Sequence, residues 1–175
     1  IYTLGHSNYS FDKFIEILKK YNINCVVDIR AIPYSKYNTQ YNKEFFQANL
    51  KKLGYTYIYM ADEFGAKRRT RNSYNDEGYA DFDKVILEED FKKGIERLKV
   101  GCAKNYKIVL LGAMQEPIRC PRAILLGREL IKEGFNVKHI MHEGDLKVQS
   151  ELEEQLLEKY FEDRNQLTID SLLGN

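Results

Sequence analysis

The fold is decided by residues 25–35, which read Cys25-Val26-Val27-Asp28-Ile29-Arg30-Ala31-Ile32-Pro33-Tyr34-Ser35. The run begins with apolar residues and shows no polar alternation before Asp28, which is typical of a strand buried on both faces of a parallel sheet. An acid, a base, a proline and a serine then follow. A buried strand with this ending delivers polar side chains to the carboxyl edge of a sheet, so a functional site is predicted there.

Strand and helix patterns alternate along the rest of the chain. Short apolar runs predict strands at 2–4, 23–29, 55–60, 106–111 and 137–140, and stretches with helical spacing lie between them. This alternation predicts a three-layer α/β/α fold around a mostly parallel sheet of about five strands. We expect a single domain over residues 1–165, followed by a C-terminal tail over residues 166–175.

Two segments carry more specific expectations. Residues 62–79 are polar and rich in basic residues, asparagine and glycine, and they are interpreted as a long loop with little structure of its own. Residues 146–163 have leucines on one side of a helical pattern, and they predict a final helix.

Composition bounds the class of protein. The chain has 175 residues, 43% of them hydrophobic, and no apolar run approaches the roughly 18 residues that a membrane span needs. Its three cysteines lack C-x-x-C spacing, which favours a reducing, cytoplasmic environment over a disulfide framework or a zinc site. No leader pattern opens the sequence, so no signal peptide is predicted. No nucleotide fingerprint is present, no metal site is predicted, and the sequence leaves the cofactor and the oligomeric state unknown.

Polar residues follow several predicted strands, at the edge where ligands bind in parallel sheets. His6 follows the first strand, and its imidazole could act as a general acid or base or could hydrogen bond to a turn. Asp28 and Arg30 are two residues apart and therefore share one face of the second strand. Arg30 either grips an anionic group while Asp28 orients it, or the two form a structural ion pair.

Several short motifs, taken in order, resemble the DUF488 family of uncharacterised bacterial and archaeal proteins. They are Thr3-Leu4-Gly5-His6-Ser7, Asp28-Ile29-Arg30 with Pro33 and Ser35, Glu63-Phe64-Gly65, Gly78-Tyr79-Ala80, Pro117 with Cys120 and Arg122, and His139-Ile140. The resemblance runs from residue 3 to about residue 157. It implies a fold and a site, and it implies no reaction.

The chain departs from the family pattern after its fourth strand. Members usually have Cys-Ala-Glu and then Cys-His-Arg, where this chain has Gly112-Ala113-Met114 and Cys120-Pro121-Arg122. Cys120 precedes a helix start and has arginines nearby, which would lower the pKa of its thiol and make it a candidate nucleophile. The alternative is a small buried cysteine.

The basic run at residues 67–71 is a second candidate anion site. It could hold the phosphates of a nucleotide or nucleic acid, with neighbouring tyrosines stacking on bases, or it could be a solvated loop. The candidate catalytic residues are therefore His6, Cys120 and Asp28. The candidate substrate-binding residues are Ser7, Arg30, Ser35, Arg68, Arg69 and Arg122.

These features predict an enzyme that acts on a small phosphorylated or otherwise anionic substrate, a nucleotide being one candidate. A non-catalytic nucleic-acid or nucleotide-binding protein is the main alternative. A third is a degenerate, inactive family member that serves as an interaction partner through its acidic C-terminal helix. No membrane partner is expected.

Overall fold

The structure is a computed structural model that describes residues 1–114, residue 117 and residues 121–159, except for the side chains of residues 121 and 122. The strands are β1 (Tyr2–Gly5), β2 (Cys25–Asp28), β3 (Thr56–Tyr59), β4 (Ile108–Gly112), β5 (Lys138–Ile140) and β6 (Leu146–Val148). The α-helices are α1 (Phe11–Lys20), α2 (Lys43–Lys52), α3 (Ala61–Phe64), α4 (Phe82–Val85), α5 (Glu89–Ala103), α6 (Pro121–Lys132) and α7 (149–159). Two 3₁₀ turns are Thr39–Tyr41 and Arg71–Ser73.

The strands form one sheet in the order β3-β2-β4-β1-β5-β6. All neighbouring strands are parallel except β6, which pairs with β5 in the antiparallel sense. The prediction of an α/β fold with a mostly parallel sheet is therefore confirmed. Within the described ranges, no helix combines the length and the hydrophobicity that crossing a membrane would require.

Two apolar clusters cover the two faces of the sheet, because successive side chains of a strand point to opposite faces. On one face, Val26 and Leu111 pack with Phe14 of α1 and Phe46 of α2. On the other face, the buried members from the sheet and from α5 and α6 are Cys25, Val27, Ile108, Leu110, Phe91, Ile95, Leu98, Leu126 and Leu130. The helices that follow β1 and β2 thus lie on the face opposite those that follow β3 and β4.

The start of α1 illustrates how local sequence sets the element boundaries. Ser10 occupies the N-cap position, and its side chain accepts a hydrogen bond from the backbone N–H of Lys13. This bond satisfies one of the donors that a helix leaves unpaired at its first turn. Asp12 lies in the first turn and Lys19 and Lys20 in the last, as the helix dipole favours.

The predicted helix over residues 146–163 is wrong at its start. Leu146–Val148 forms β6, and the helix begins only at residue 149. A tight turn precedes β6, in which Gly144 has a φ of +84° and the N–H of Met141 donates to the carbonyl of Asp145 at 2.8 Å. This turn folds the chain back beside β5, so pairing with the sheet overrides the helical leucine pattern for three residues. The part of the prediction beyond residue 159 lies outside the described residues.

The prediction that residues 62–79 form a long loop with little structure of its own is wrong in part. The segment contains most of α3, the 3₁₀ turn Arg71–Ser73 and a bridge between Tyr74 and Ala80. Arg68 holds it together from within. Its guanidinium pairs with Glu88 and donates to the carbonyl of Gly65 at 3.1 Å. This buried and paired cation orders a polar segment whose few apolar residues predict little structure.

Candidate functional site

A buried ion pair closes the carboxyl end of β2. The Asp28 carboxylate is 0% exposed, and Arg30 grips both of its oxygens, with Nε 2.9 Å from Oδ1 and Nη2 2.7 Å from Oδ2. The backbone N–H of Arg30 also donates to Oδ1 at 3.1 Å. Nη2 makes a further bond to the carbonyl of Tyr41 at 2.9 Å. The predicted pairing of the two residues on one face is present in its bidentate form.

The neighbouring strand β3 supports this pair with two tyrosines. The hydroxyl of Tyr57 donates to Asp28 Oδ2 at 2.7 Å, and that of Tyr59 donates to the carbonyl of Arg30 at 3.0 Å. Burial, followed by the charge of Asp28, raises the pKa of Tyr57, so its hydroxyl stays a donor. Within the described part of the chain, these bonds engage Nε and Nη2 of Arg30 and do not use Nη1.

His6 lies beside this pair and is held neutral. Its ring stacks on the ring of Tyr41, with centroids 4.2 Å apart, and its Nδ1 donates to the carbonyl of Ser7 at 2.8 Å. Burial, together with the positive charge of Arg30, lowers the pKa of His6 to about 4. At neutral pH the imidazole is therefore uncharged, with the proton on Nδ1 and Nε2 as its basic nitrogen.

A second histidine, His142, also stacks on a tyrosine. Tyr9 stacks on His142, which follows β5, and its hydroxyl lies 3.1 Å from His142 Nδ1. The hydroxyl of Tyr41 is buried and has no hydrogen-bond partner among the described residues. Burial raises the pKa of Tyr41, which keeps the hydroxyl protonated. The sequence predicted His6 at this edge, but nothing in it indicated that an aromatic ring would stack on it.

A cavity of about 310 Å³ opens at the carboxyl edge of the sheet. The described residues that line it are Thr3, Leu4, Gly5, Ile29, Arg30, Ala31, Ile32, Leu110, Gly112, Ala113, Met114, Pro117, Ala123 and Leu126. They come from the ends of β1, β2 and β4 and from the first turns of α6. The chain leaves β4 towards one face of the sheet and leaves β1 and β2 towards the other, which is the kind of place where parallel sheets bind ligands.

The cavity wall is mostly apolar, and Arg30 is the only charged residue among the described residues that line it. His6 is not among them, because it packs against Tyr41 on the α1–α2 face. His6, Asp28 and Arg30 thus lie together at one edge of the sheet, as expected. Of the three, only Arg30 lines the cavity.

Thr3, which lines this cavity, is the first member of a chain of hydrogen bonds that the sequence analysis did not predict. Its Oγ1 lies 2.7 Å from His139 Nδ1, and His139 Nε2 lies 2.7 Å from Gln149 Oε1. Gln149 Nε2 donates to the carbonyl of Ile124 and to Glu153 Oε1, each at 2.8 Å. A histidine inside an apolar strand was the only feature of the sequence that pointed to this chain of bonds. Its partners are distant in sequence, because Thr3 reaches His139 through the pairing of β1 with β5 and Gln149 reaches it through the packing of α7.

The two predicted serines lie in turns. Ser7 follows β1 with a φ of +46°, a left-handed conformation that is strained for a residue with a side chain. Its N–H donates to the carbonyl of Ala113 at 3.2 Å, which ties this turn to the end of β4. Ser35 organises its own loop, because its Oγ accepts from the N–H groups of Tyr37 and Asn38 at 3.1 and 3.0 Å.

Two of the predicted substrate-binding arginines, Arg68 and Arg69, are already paired. The Arg68 side chain is buried against Glu88, and Ser73 also donates to that carboxylate. Arg69 is exposed and pairs with Asp62 and with Asp90. Neither arginine is among the residues that line the cavity. Arg68 therefore holds its segment together, and two carboxylates offset the charge of Arg69.

Only part of the cysteine prediction falls on described residues. Cys120 and the side chain of Arg122 lie outside them. Cys25 is a buried free thiol whose pKa is raised to about 11, chiefly by burial, which disfavours a reactive thiolate. In the part of the chain that the structure describes, no three histidine, cysteine, aspartate or glutamate side chains cluster in a way that could hold a metal ion.

Comparison with known proteins places the chain in a family. The model described as "Domain of unknown function DUF488" matches residues 10–128, which is more than half of the chain. The chain therefore belongs to this family, as its motifs predicted. No curated protein and no solved structure matches it.

Proposed function

We propose that this DUF488-family protein is an enzyme that acts on a small anionic substrate bound in the cavity at the carboxyl edge of the sheet. The observation that carries the proposal is the position of the cavity at the ends of β1, β2 and β4, beside the start of α6. In α/β folds, this crevice is where substrates and cofactors bind.

The lining indicates the class of substrate. Its apolar walls suit a small organic body, and its volume lies at the lower end of the range of ligand pockets. Arg30 is the one charged residue among the described residues of the lining, and its Nη1 is not engaged by the bonds to Asp28 and Tyr41, so in this proposal Nη1 is the atom that contacts the anion. The amino end of α6 favours negative charge through its helix dipole. A short organic acid or a phosphate monoester combines these features, and in this proposal Asp28 holds Arg30 in position.

Ligand-induced stabilisation tests this proposal. Short carboxylates, phosphate monoesters, inorganic phosphate and nucleotides would be titrated during thermal unfolding, each beside a neutral alcohol or amide of similar shape. An anion present at 100 times its Kd should add about 2.7 kcal/mol to the free energy of unfolding. Arg30→Lys should bind more weakly, because lysine keeps the charge and loses the planar guanidinium.

A pair of alanine substitutions locates the binding. Ala113 is exposed and lines the cavity, so Ala113→Phe should fill the space and abolish the stabilisation by anions. Ala103 is exposed at the end of α5 and does not line the cavity, so Ala103→Phe is the matched control and should leave it intact. The proposal fails if no anion stabilises the wild-type protein, or if Ala113→Phe binds as well as Ala103→Phe.

Binding of single-stranded nucleic acid is the second candidate, and one observation favours it. Tyr37 is 94% exposed and Tyr34 is 53% exposed, on a loop that also carries Lys36. Exposed aromatic rings beside cations can stack on bases and contact phosphates. An oligonucleotide affinity that falls steeply with salt and is lost in Tyr37→Ala, yet is unchanged in Ala113→Phe, would favour this candidate. No binding at low salt would exclude it.

A further inference from the structure

We infer that Thr3 is a nucleophile, activated by His139, and that it makes the cavity a site of acyl transfer from small esters. The inference shares its cavity with the proposed function and adds the reacting group. Thr3 lines the cavity and lies on β1, in the middle of the sheet. A group on a rigid strand can be held in the geometry that nucleophilic attack needs.

The hydrogen-bond pattern assigns the protons. Nε2 of Gln149 bonds to a carbonyl and to a carboxylate, which only accept, so that atom is the amide nitrogen. Gln149 Oε1 must then accept from His139, which places the imidazole proton on Nε2. In the neutral imidazole, Nδ1 is therefore an acceptor, and the hydroxyl of Thr3 donates to it. Thr3 is thus bonded to a base that is free to take its proton.

The neutral form of His139 is secured by its surroundings. The residue is 0% exposed, and burial lowers its pKa from the ordinary value. Gln149 orients the ring, and it is itself held by Glu153, whose carboxylate pairs with Arg128 at 2.9 Å. Nucleophile, base and orienting amide therefore come from three separate elements, β1, β5 and α7. This is the arrangement by which enzymes activate a hydroxyl.

Gly127 of α6 leaves the room that this chain of bonds requires. A Cβ atom at residue 127 would lie 2.3 Å from Gln149 Oε1 and 3.2 Å from His139 Cε1. At the first distance a Cβ would force the end of the Gln149 side chain to shift, so the observed position of this amide against His139 depends on glycine at residue 127. The absence of a side chain at Gly127 thus lets α6 pack directly against the hydrogen-bonded residues His139 and Gln149.

The reaction that this geometry supports is hydrolysis of an ester in two steps, and water is the only other reactant. Thr3 Oγ1 forms a bond to the carbonyl carbon of the ester while its proton passes to His139 Nδ1. The bond from that carbon to the leaving oxygen then breaks, and His139 returns the proton to the departing alcohol. Water next attacks the acyl-threonine, gives a proton to His139, and releases the carboxylic acid as the proton returns to Thr3.

An alkyl fluorophosphonate tests the inference without knowledge of the substrate. Attack by Thr3 Oγ1 forms an oxygen–phosphorus bond and expels fluoride, and the adduct is detected by intact-protein and peptide mass spectrometry. We expect one adduct on the wild-type protein, at Thr3. Thr3→Ser should keep the labelling, whereas Thr3→Val, which matches threonine in shape, should lose it. His139→Asn should slow labelling by about 100-fold, the scale of a lost general base.

Ala113→Phe gives a variant outside the hydrogen-bonded chain. It changes an exposed residue, so it tests access to Thr3 even if Thr3→Val or His139→Asn does not fold. We expect it to lose labelling while Ala103→Phe is labelled like the wild type. An unlabelled wild-type protein, an adduct at another residue, or undiminished labelling of folded Thr3→Val or of Ala113→Phe would each overturn the inference.

Gln149 is a positioning residue, and its role has a spectroscopic readout. In the wild-type protein, imidazole ¹⁵N shifts should show the proton of His139 on Nε2. In Gln149→Met the amide is lost, and we expect that preference to be lost together with most of the labelling. An unchanged tautomer and labelling rate would remove Gln149 from the inference.

The two proposals for the cavity fail separately. If anions fail to stabilise the protein but Thr3 is labelled, the anionic substrate is wrong and the nucleophile stands. If anions bind and Thr3 is not labelled, the anionic substrate stands and the nucleophile is wrong.

Discussion

Asp28→Asn is expected to lower the free energy of unfolding by about 3–5 kcal/mol, the range for breaking a buried ion pair by removing one partner. The carboxylate accepts from Arg30 through its backbone N–H, Nε and Nη2, and from the hydroxyl of Tyr57. Asparagine is similar in shape, but it turns one acceptor into a donor and removes the charge that offsets Arg30. Both losses occur away from water, where an uncompensated cation is costly. Urea unfolding at neutral pH measures the change.

Two further variants test whether the loss of stability comes from the buried ion pair or from the loss of any carboxylate charge. Asp145 is exposed, and its ion pair with Lys20 is long, at 4.0 Å, so Asp145→Asn should stay within about 0.5 kcal/mol of the wild type. The double variant Asp28→Leu/Arg30→Met should be more stable than Asp28→Asn, because it leaves no unpaired charge. If Asp28→Asn unfolded at the same urea concentration as Asp145→Asn, the pair would contribute nothing to the fold.

The sequence predicted the sheet because its strands are short apolar runs that need no long-range information to recognise. The apolar pair Val26 and Val27 predicted a strand buried on both faces, which the structure has, and the polar residues after that strand were therefore expected at one edge of the sheet. The helix prediction failed at Leu146–Val148 because the structure of this segment depends on its pairing with a neighbouring strand. A leucine pattern compatible with helix became a strand because a turn at Gly144 placed it beside β5.

The candidate site was predictable only in part, for reasons of geometry. Asp28 and Arg30 were predicted as partners because two residues along a strand share a face. Thr3 and His139 are 136 residues apart, and only the register of β1 against β5 brings them together. Similarly, nothing near Arg68 in sequence identifies Glu88 as its partner. Two of the four basic residues in the run that looked available for anions, Arg68 and Arg69, proved to be paired with carboxylates.

The stability of the protein should fall by about 3 kcal/mol as the pH drops from 6.5 to 4 through the protonation of His6 alone. Its pKa in the folded protein is about 4, against about 6.5 in an unfolded chain. Above pH 6.5 the imidazole is neutral in both states and the difference has no effect. Between the two values the unfolded chain binds a proton that the folded protein does not, so stability rises with pH and is lost as the pH falls.

His6→Phe isolates this contribution. Phenylalanine keeps an aromatic ring against Tyr41 and removes the titrating group, at the cost of the hydrogen bond to the carbonyl of Ser7. Burial also lowers the pKa of His139, so the test is the difference between the two proteins, in which that contribution cancels. The change in the free energy of unfolding between pH 7 and pH 4 should be smaller in His6→Phe by about 3 kcal/mol. Equal changes in both proteins, or a His6 imidazole that titrates near 6.5 by NMR, would show that Arg30 and burial do not hold this histidine neutral.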